Sequence, residues 1–163
     1  ESFDDGSNTG IKDGMDAAIC SLDQTNLKLH FSGANNPLYI IRHNDKPLKS
    51  PSGELIEVKS LEALNEIKGT RRPVGSSDYM QPFVNKEIQL EKDDIIYLFS
   101  DGYPDQFGGP KGKKLMYKPF KRILLENSRL PMHEQREKLE LEFNNWSSGY
   151  AQIDDICIIG IKV

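Results

Sequence analysis

Five consecutive apolar residues, Ile95-Ile96-Tyr97-Leu98-Phe99, constrain this chain more than any other feature. A strand sends successive side chains to opposite faces, so a run that is apolar at every position needs cover on both sides. The run predicts a strand inside a layered sheet structure. Ile156-Cys157-Ile158-Ile159-Gly160-Ile161 makes the same demand at the end of the chain and predicts a second buried strand. With 163 residues, 37% of them apolar, the chain is long enough for one domain and too short for two. At this size roughly 68–70% of the unfolded surface can be buried, so folding needs neither a disulfide nor a metal staple.

The rest of the chain reads as further strands, followed by helices. Residues 1–12 are rich in Asp, Gly, Ser and Asn and read as a loop or flexible start, with the folded part over 13–163. Met15 to Leu22 is a short apolar run, and Leu27, Leu29 and Phe31 alternate with polar residues. Gly33-Ala34-Asn35-Asn36-Pro37 has turn chemistry, so the alternating run and Leu38-Tyr39-Ile40-Ile41 are expected to pair as a hairpin. Leu55-Ile56-Glu57-Val58 is expected to be another short strand, while residues 61–82 hold too many Gly and Pro for a long element. Phe83, Ile88 and Leu90 lead to the polar turn Glu91-Lys92-Asp93-Asp94. Phe120, Ile123, Leu124 and Asn127 have helical spacing. Pro131 opens a second helix with Leu139, Phe143 and Trp146 on one stripe. Antiparallel strands with helices gathered toward the end make an α+β sandwich the expected class.

Several function classes fall away. A net charge of −4 without a basic stripe argues against a nucleic-acid binder. Mean hydropathy is −0.57 and no apolar run approaches 18 residues, so neither a membrane helix nor direct membrane contact is expected. Cys20 and Cys157 sit in apolar runs without metal-ligand neighbours and are expected to be buried, reduced thiols, which suits a cytoplasmic setting. The chain opens on Glu1-Ser2-Phe3-Asp4 without an initiator Met and reads as a piece of something longer.

Two acidic clusters adjoin the two most apolar runs. Ser100-Asp101-Gly102-Tyr103-Pro104-Asp105 follows the first, and Gln152-Ile153-Asp154-Asp155 precedes the second. If the two strands are antiparallel neighbours, Asp101 and Asp154 fall at the same end of the pair. A hard cation such as Mg²⁺ or Mn²⁺ takes oxygen ligands and needs few carboxylates, so the two could share one ion. Spacing alone fits equally a turn after one strand and a solvated cap before the other. His30, His43 and His133 are scattered and make no triad or histidine metal centre, and no Walker-type phosphate loop occurs. Lys111, Lys113 and Lys114 form a small basic patch, read as a solvated loop or as a contact for an anionic substrate. Asp5, Ser7, Thr9 and Asp16 only faintly resemble an EF-hand loop, without flanking amphipathic helices.

Taken in order, the motifs Asp13-Gly14-Met15-Asp16, Phe31-Ser32-Gly33-Ala34-Asn35-Asn36-Pro37-Leu38, Pro73-Val74-Gly75, the stretch from Ile95 to Gly109, and Gln152-Ile153-Asp154-Asp155 resemble a known family. They look like the C-terminal two-thirds of a bacterial PPM-type (type 2C) metal-dependent serine/threonine phosphatase. The similar branch contains the sporulation stage II E protein and the regulators of sigma-factor cascades. The resemblance runs from about residue 11 to the last residue.

That resemblance implies an α-β-β-α sandwich, incomplete at its N-terminus, with a binuclear Mn²⁺ or Mg²⁺ centre at one edge of the sheets. It makes Asp101 and Asp154 metal ligands and Asp155 a neighbour behind them. Asp105 takes the offset of a third-ion ligand, but that ion's usual partner carboxylate is replaced by Ala34. Two ions would activate a bridging water to attack phosphorus, with no protein nucleophile. The implied substrate is a phosphorylated protein, by family analogy a STAS-type anti-sigma-factor antagonist, and a dimer is left open. The family's earlier Gly-Asp strand and Asp-Gly-His-Gly-like turn have no counterpart before Asp13. The chain alone is therefore expected to bind at most one ion weakly. An alternative is a catalytically silent interaction module that keeps the phosphatase fold.

Overall fold

The computed structural model describes residues 14–75 and 82–163. In chain order the elements are β1 (Gly14–Met15), β2 (Ala17–Asp23), β3 (Lys28–Ala34), β4 (Leu38–Ile41), β5 (Lys59–Leu61) and β6 (Leu64–Ile67). They continue with β7 (Val74–Gly75), β8 (Lys86–Gln89), β9 (Ile95–Phe99), α1 (Gly102–Asp105), β10 (Phe107–Gly108) and β11 (Lys113–Lys114). Helices α2 (Tyr117–Asn127) and α3 (Met132–Ser147) precede β12 (Ile158–Lys162). Among the described residues, no helix is long and apolar enough to cross a membrane.

A three-stranded sheet, β2-β3-β8, packs on a five-stranded sheet ordered β12-β9-β4-β6-β5, and all strand pairs within them are antiparallel. Leu29, Phe31 and Ile88 of the first meet Leu38, Ile40, Ile67 and Ile96 of the second. On the far side of the larger sheet, Tyr39, Ile41, Tyr97 and Phe99 pack against Phe120, Leu124 and Leu139 of α2 and α3. Strands β4 and β9 are thus apolar on both faces because one face meets a sheet and the other meets helices. Three of the four layers of an α-β-β-α sandwich lie in the described residues. The outer face of β2-β3-β8 is polar, with Lys28 paired to Glu87 at 2.9 Å, apart from the exposed Ile19.

A buried ion pair locks the central strands from below. Arg42, just past β4, donates through Nε to Asp94 Oδ1 at 2.9 Å and through Nη2 to Oδ2 at 2.5 Å. Its remaining donors reach the carbonyls of Pro47 and Gln89, and the Glu91 amide donates to Asp94. Buried charges persist when paired and hydrogen-bonded in this way.

Four expectations need correction. The strand 28–34 does not pair with 38–41. Both edges of β3 are taken by β2 and β8, and the turn at 33–37 carries the chain into the other sheet, where β4 lies between β6 and β9. The real hairpin is β2-β3, closed by Asp23 Oδ1 accepting from the Thr25 and Asn26 amides. Residues 55–58 form no strand; Leu55 makes one isolated bridge to Lys49, and pairing begins at Lys59. The last run is an edge strand rather than a buried one: β12 pairs only with β9, leaving Ile159 48% and Ile161 37% exposed. Cys157, just before β12, is exposed as well, while Cys20 is half-buried between the sheets.

A candidate metal site at the end of the central strands

The register of β9 against β12 sets Phe99 opposite Ile158, so residues 100–105 and 154–157 leave the sheet at one edge. Ser100 fastens them. Its hydroxyl donates to the Asp155 carbonyl at 2.8 Å and accepts from the Cys157 amide at 2.9 Å, while its own amide donates to the Cys157 carbonyl at 2.9 Å. Gly102 completes the fit, because a Cβ there would overlap the Asp155 carbonyl oxygen. The chain then turns into α1, where the Asp105 amide donates to the Asp101 carbonyl at 2.9 Å.

The other residues of this stretch are anchors. Tyr103 is buried and donates its hydroxyl to the Leu139 carbonyl at 2.9 Å. Gln106 is fully buried, donates to the Ala151 carbonyl at 2.9 Å, and its own carbonyl accepts from Trp146 Nε1 at 2.9 Å. The turn is therefore tied to α3 and to the approach to β12, which gives the carboxylates a rigid base.

Asp101, Asp154 and Asp155 are all exposed at this edge. Asp154 Oδ1 accepts from the Asp155 amide at 2.8 Å. Asp105 binds the Lys114 ammonium at 2.7 Å. Lys114 thus leaves the expected solvated patch and serves the acidic turn. The three histidines remain apart: His30 near Asn85 and Glu87, His43 beside Ser128, His133 beside Glu134. Of the faint EF-hand positions, Asp5, Ser7 and Thr9 lie outside the described residues, as does Asp13 of the first motif.

Two further residues stand near this edge. Asp16, whose only role read in the sequence is a faint EF-hand position, lies between β1 and β2 and accepts from Asn35 Nδ2 at 2.7 Å. Tyr117, the first residue of α2, feels the charges of Asp101, Asp105, Asp16 and Glu66; burial first, and then these carboxylates, push its phenol pKa up. Asp16 lies in a motif that was read, yet its neighbour Asn35 is nineteen positions away. Nothing local marks Tyr117.

The donor set is hard and oxygen-only, which suits Mg²⁺ or Mn²⁺. Among the described residues, no three or more His, Cys, Asp or Glu side chains stand together to hold a metal. Two carboxylates are still sufficient in kind, since Mg²⁺ keeps several waters and is often held by one or two carboxylates plus substrate phosphate. Away from this edge, a cavity of about 590 Å³ lies between α3 and β12, lined by Tyr97, Leu139, Phe143 and Ile158. Its charged residues Arg136 and Glu140 pair with each other, so it offers no comparable chemistry.

The layered antiparallel sheets and helices have the fold of PP2C phosphatase domains. The SiaA-PP2C domain of Pseudomonas aeruginosa superposes with a TM-score of 0.72 at 26% identity, covering 91% of this chain and 51% of that one. The PP2C phosphatase domain of the cell fate determinant SpoIIE from Bacillus subtilis, solved with a fragment of its regulatory domain, gives a TM-score of 0.61 at 16% identity. That match covers 91% of this chain and 37% of the other. A Mn-presoaked structure of the same phosphatase domain gives 0.55 at 14% identity, covering 91% and 56%. Residues 7–163 match the model of the stage II sporulation protein E (SpoIIE) family, and the chain belongs to that family. It spans about half the length of the SiaA-PP2C chain. No curated protein matches it.

Proposed function

We propose that this chain is part of a protein serine/threonine phosphatase that acts in the cytoplasm on a phosphorylated signalling partner, of the STAS-type anti-sigma-factor antagonist class. The observation that carries the reading is the Ser100 clamp, which joins the Asp101 turn to the Asp154-Asp155 segment at one sheet edge. Asp101 and Asp154 would hold Mn²⁺ or Mg²⁺, with Asp155 behind them. A divalent cation there would supply water activation and offset phosphoryl charge. The chain's own residues do the positioning. Ser100 and Gly102 fix how closely the two acidic segments approach, Tyr103 and Gln106 keep the turn from moving, and Lys114 neutralises Asp105.

The test is Mn²⁺-dependent phosphate release from p-nitrophenyl phosphate and from a phosphoserine peptide, in the full-length protein and its Asp101→Asn variant. Outer partners of metal ligands commonly contribute 10–100-fold to activity, so loss of a ligand is expected to cost at least about a hundredfold. Unchanged turnover in the variant would remove Asp101 from the mechanism. A second reading, a silent module that keeps the fold for partner binding, is favoured by the absence of a three-ligand cluster among the described residues. Partner binding by wild type without any Mn²⁺-dependent turnover would select it.

A further inference from the structure

The corner between β11 and α2 is held in a costly backbone conformation. Met116 has φ +73°, in the left-handed region where a long side chain is disfavoured. Three contacts over-determine it. The Met116 amide donates to the Pro104 carbonyl at 2.7 Å, the Leu115 amide to the Gln106 carbonyl at 3.0 Å, and Lys114 Nζ to Asp105 at 2.7 Å. This seam joins 104–106 to 114–116 and sets the next residue, Tyr117, beside the acidic turn. Strain kept in place by its surroundings in this way gathers at functional sites.

Tyr117 is 39% exposed, and among the described residues its hydroxyl has no hydrogen-bond partner. We infer that Tyr117 contacts substrate, its hydroxyl donating a hydrogen bond to an oxygen of the phosphoryl group at the Asp101–Asp154 edge. The inference rests on the phosphatase reading above. Phosphoryl oxygens only accept, and a phenol hydroxyl is a donor at neutral pH.

Inorganic phosphate titrated calorimetrically into the Mn²⁺-loaded full-length protein tests it, with wild type, Tyr117→Phe and Asp101→Asn compared. Mn²⁺ affinity and thermal midpoint are measured on each. Tyr117→Phe is expected to keep its midpoint and Mn²⁺ affinity while binding phosphate about tenfold more weakly. Equal phosphate affinity in Tyr117→Phe, or no phosphate binding by Mn²⁺-loaded wild type, overturns the inference and leaves the metal site standing. A fall in midpoint or Mn²⁺ affinity in Tyr117→Phe would give the hydroxyl a structural role and overturns it too. Mn²⁺ uptake that is absent, or indifferent to Asp101→Asn, overturns both the inference and the reading beneath it.

Discussion

At Ser100 one hydroxyl gives a hydrogen bond to one strand's approach and takes a second from the same segment, and the glycine two residues on lets that segment close in. Gly102→Ala therefore pushes against the Asp155 backbone, which has to shift. The expected cost is about 1–3 kcal/mol of unfolding free energy, with weaker Mn²⁺ binding, read by urea denaturation and calorimetry. Stability equal to wild type would show that the two segments do not meet as described. At this scale the sequence exposes Asp101 and Asp154 clearly, because each borders an apolar run. Tyr117 stays hidden, since the φ of Met116 and the seam to Pro104 are tertiary facts with no periodicity behind them.

Among the elements, β9 and β4 show how far apolar patterning reaches. Both are apolar at every position and both are covered on two sides. The same pattern misleads at β12, whose partner on one edge is β9 and whose other edge is open. Apolar composition says that a strand wants cover; only the strand order says whether cover is there. The misplaced hairpin has a like cause. Turn chemistry at 33–37 marks a reversal in the chain without saying which sheet receives it, whereas the Asp23–Asn26 turn is marked only by polar side chains bonding locally.

The two cysteines report on this difference directly. Burial pushes the Cys20 thiol up to about 11, and alkylation needs the thiolate. Iodoacetamide at pH 8 is expected to label exposed Cys157 first. Cys20 labelling should rise about tenfold per pH unit and level off only near pH 11. Rapid labelling of both at pH 8, followed by mass spectrometry, would contradict the packing of β2 against the larger sheet.

For the whole molecule, three layers and a buried Arg42–Asp94 pair set two acidic segments at one end of a rigid sheet. The fold class was legible because strands and helices follow in the order the architecture needs, and the Asp101 and Asp154 segments fall at one sheet end because each borders a paired apolar strand. Which further side chains stand near them was not, since that depends on convergence across the sheet edge. The most direct measurement is a double-mutant cycle in Mn²⁺ affinity, by calorimetry, on wild type, Asp101→Asn, Asp154→Asn and the pair. One ion shared by both carboxylates predicts at least about a tenfold loss in each single variant and little further loss in the double. Wild-type affinity in either single variant, or losses that simply add, would contradict a shared ion at this edge.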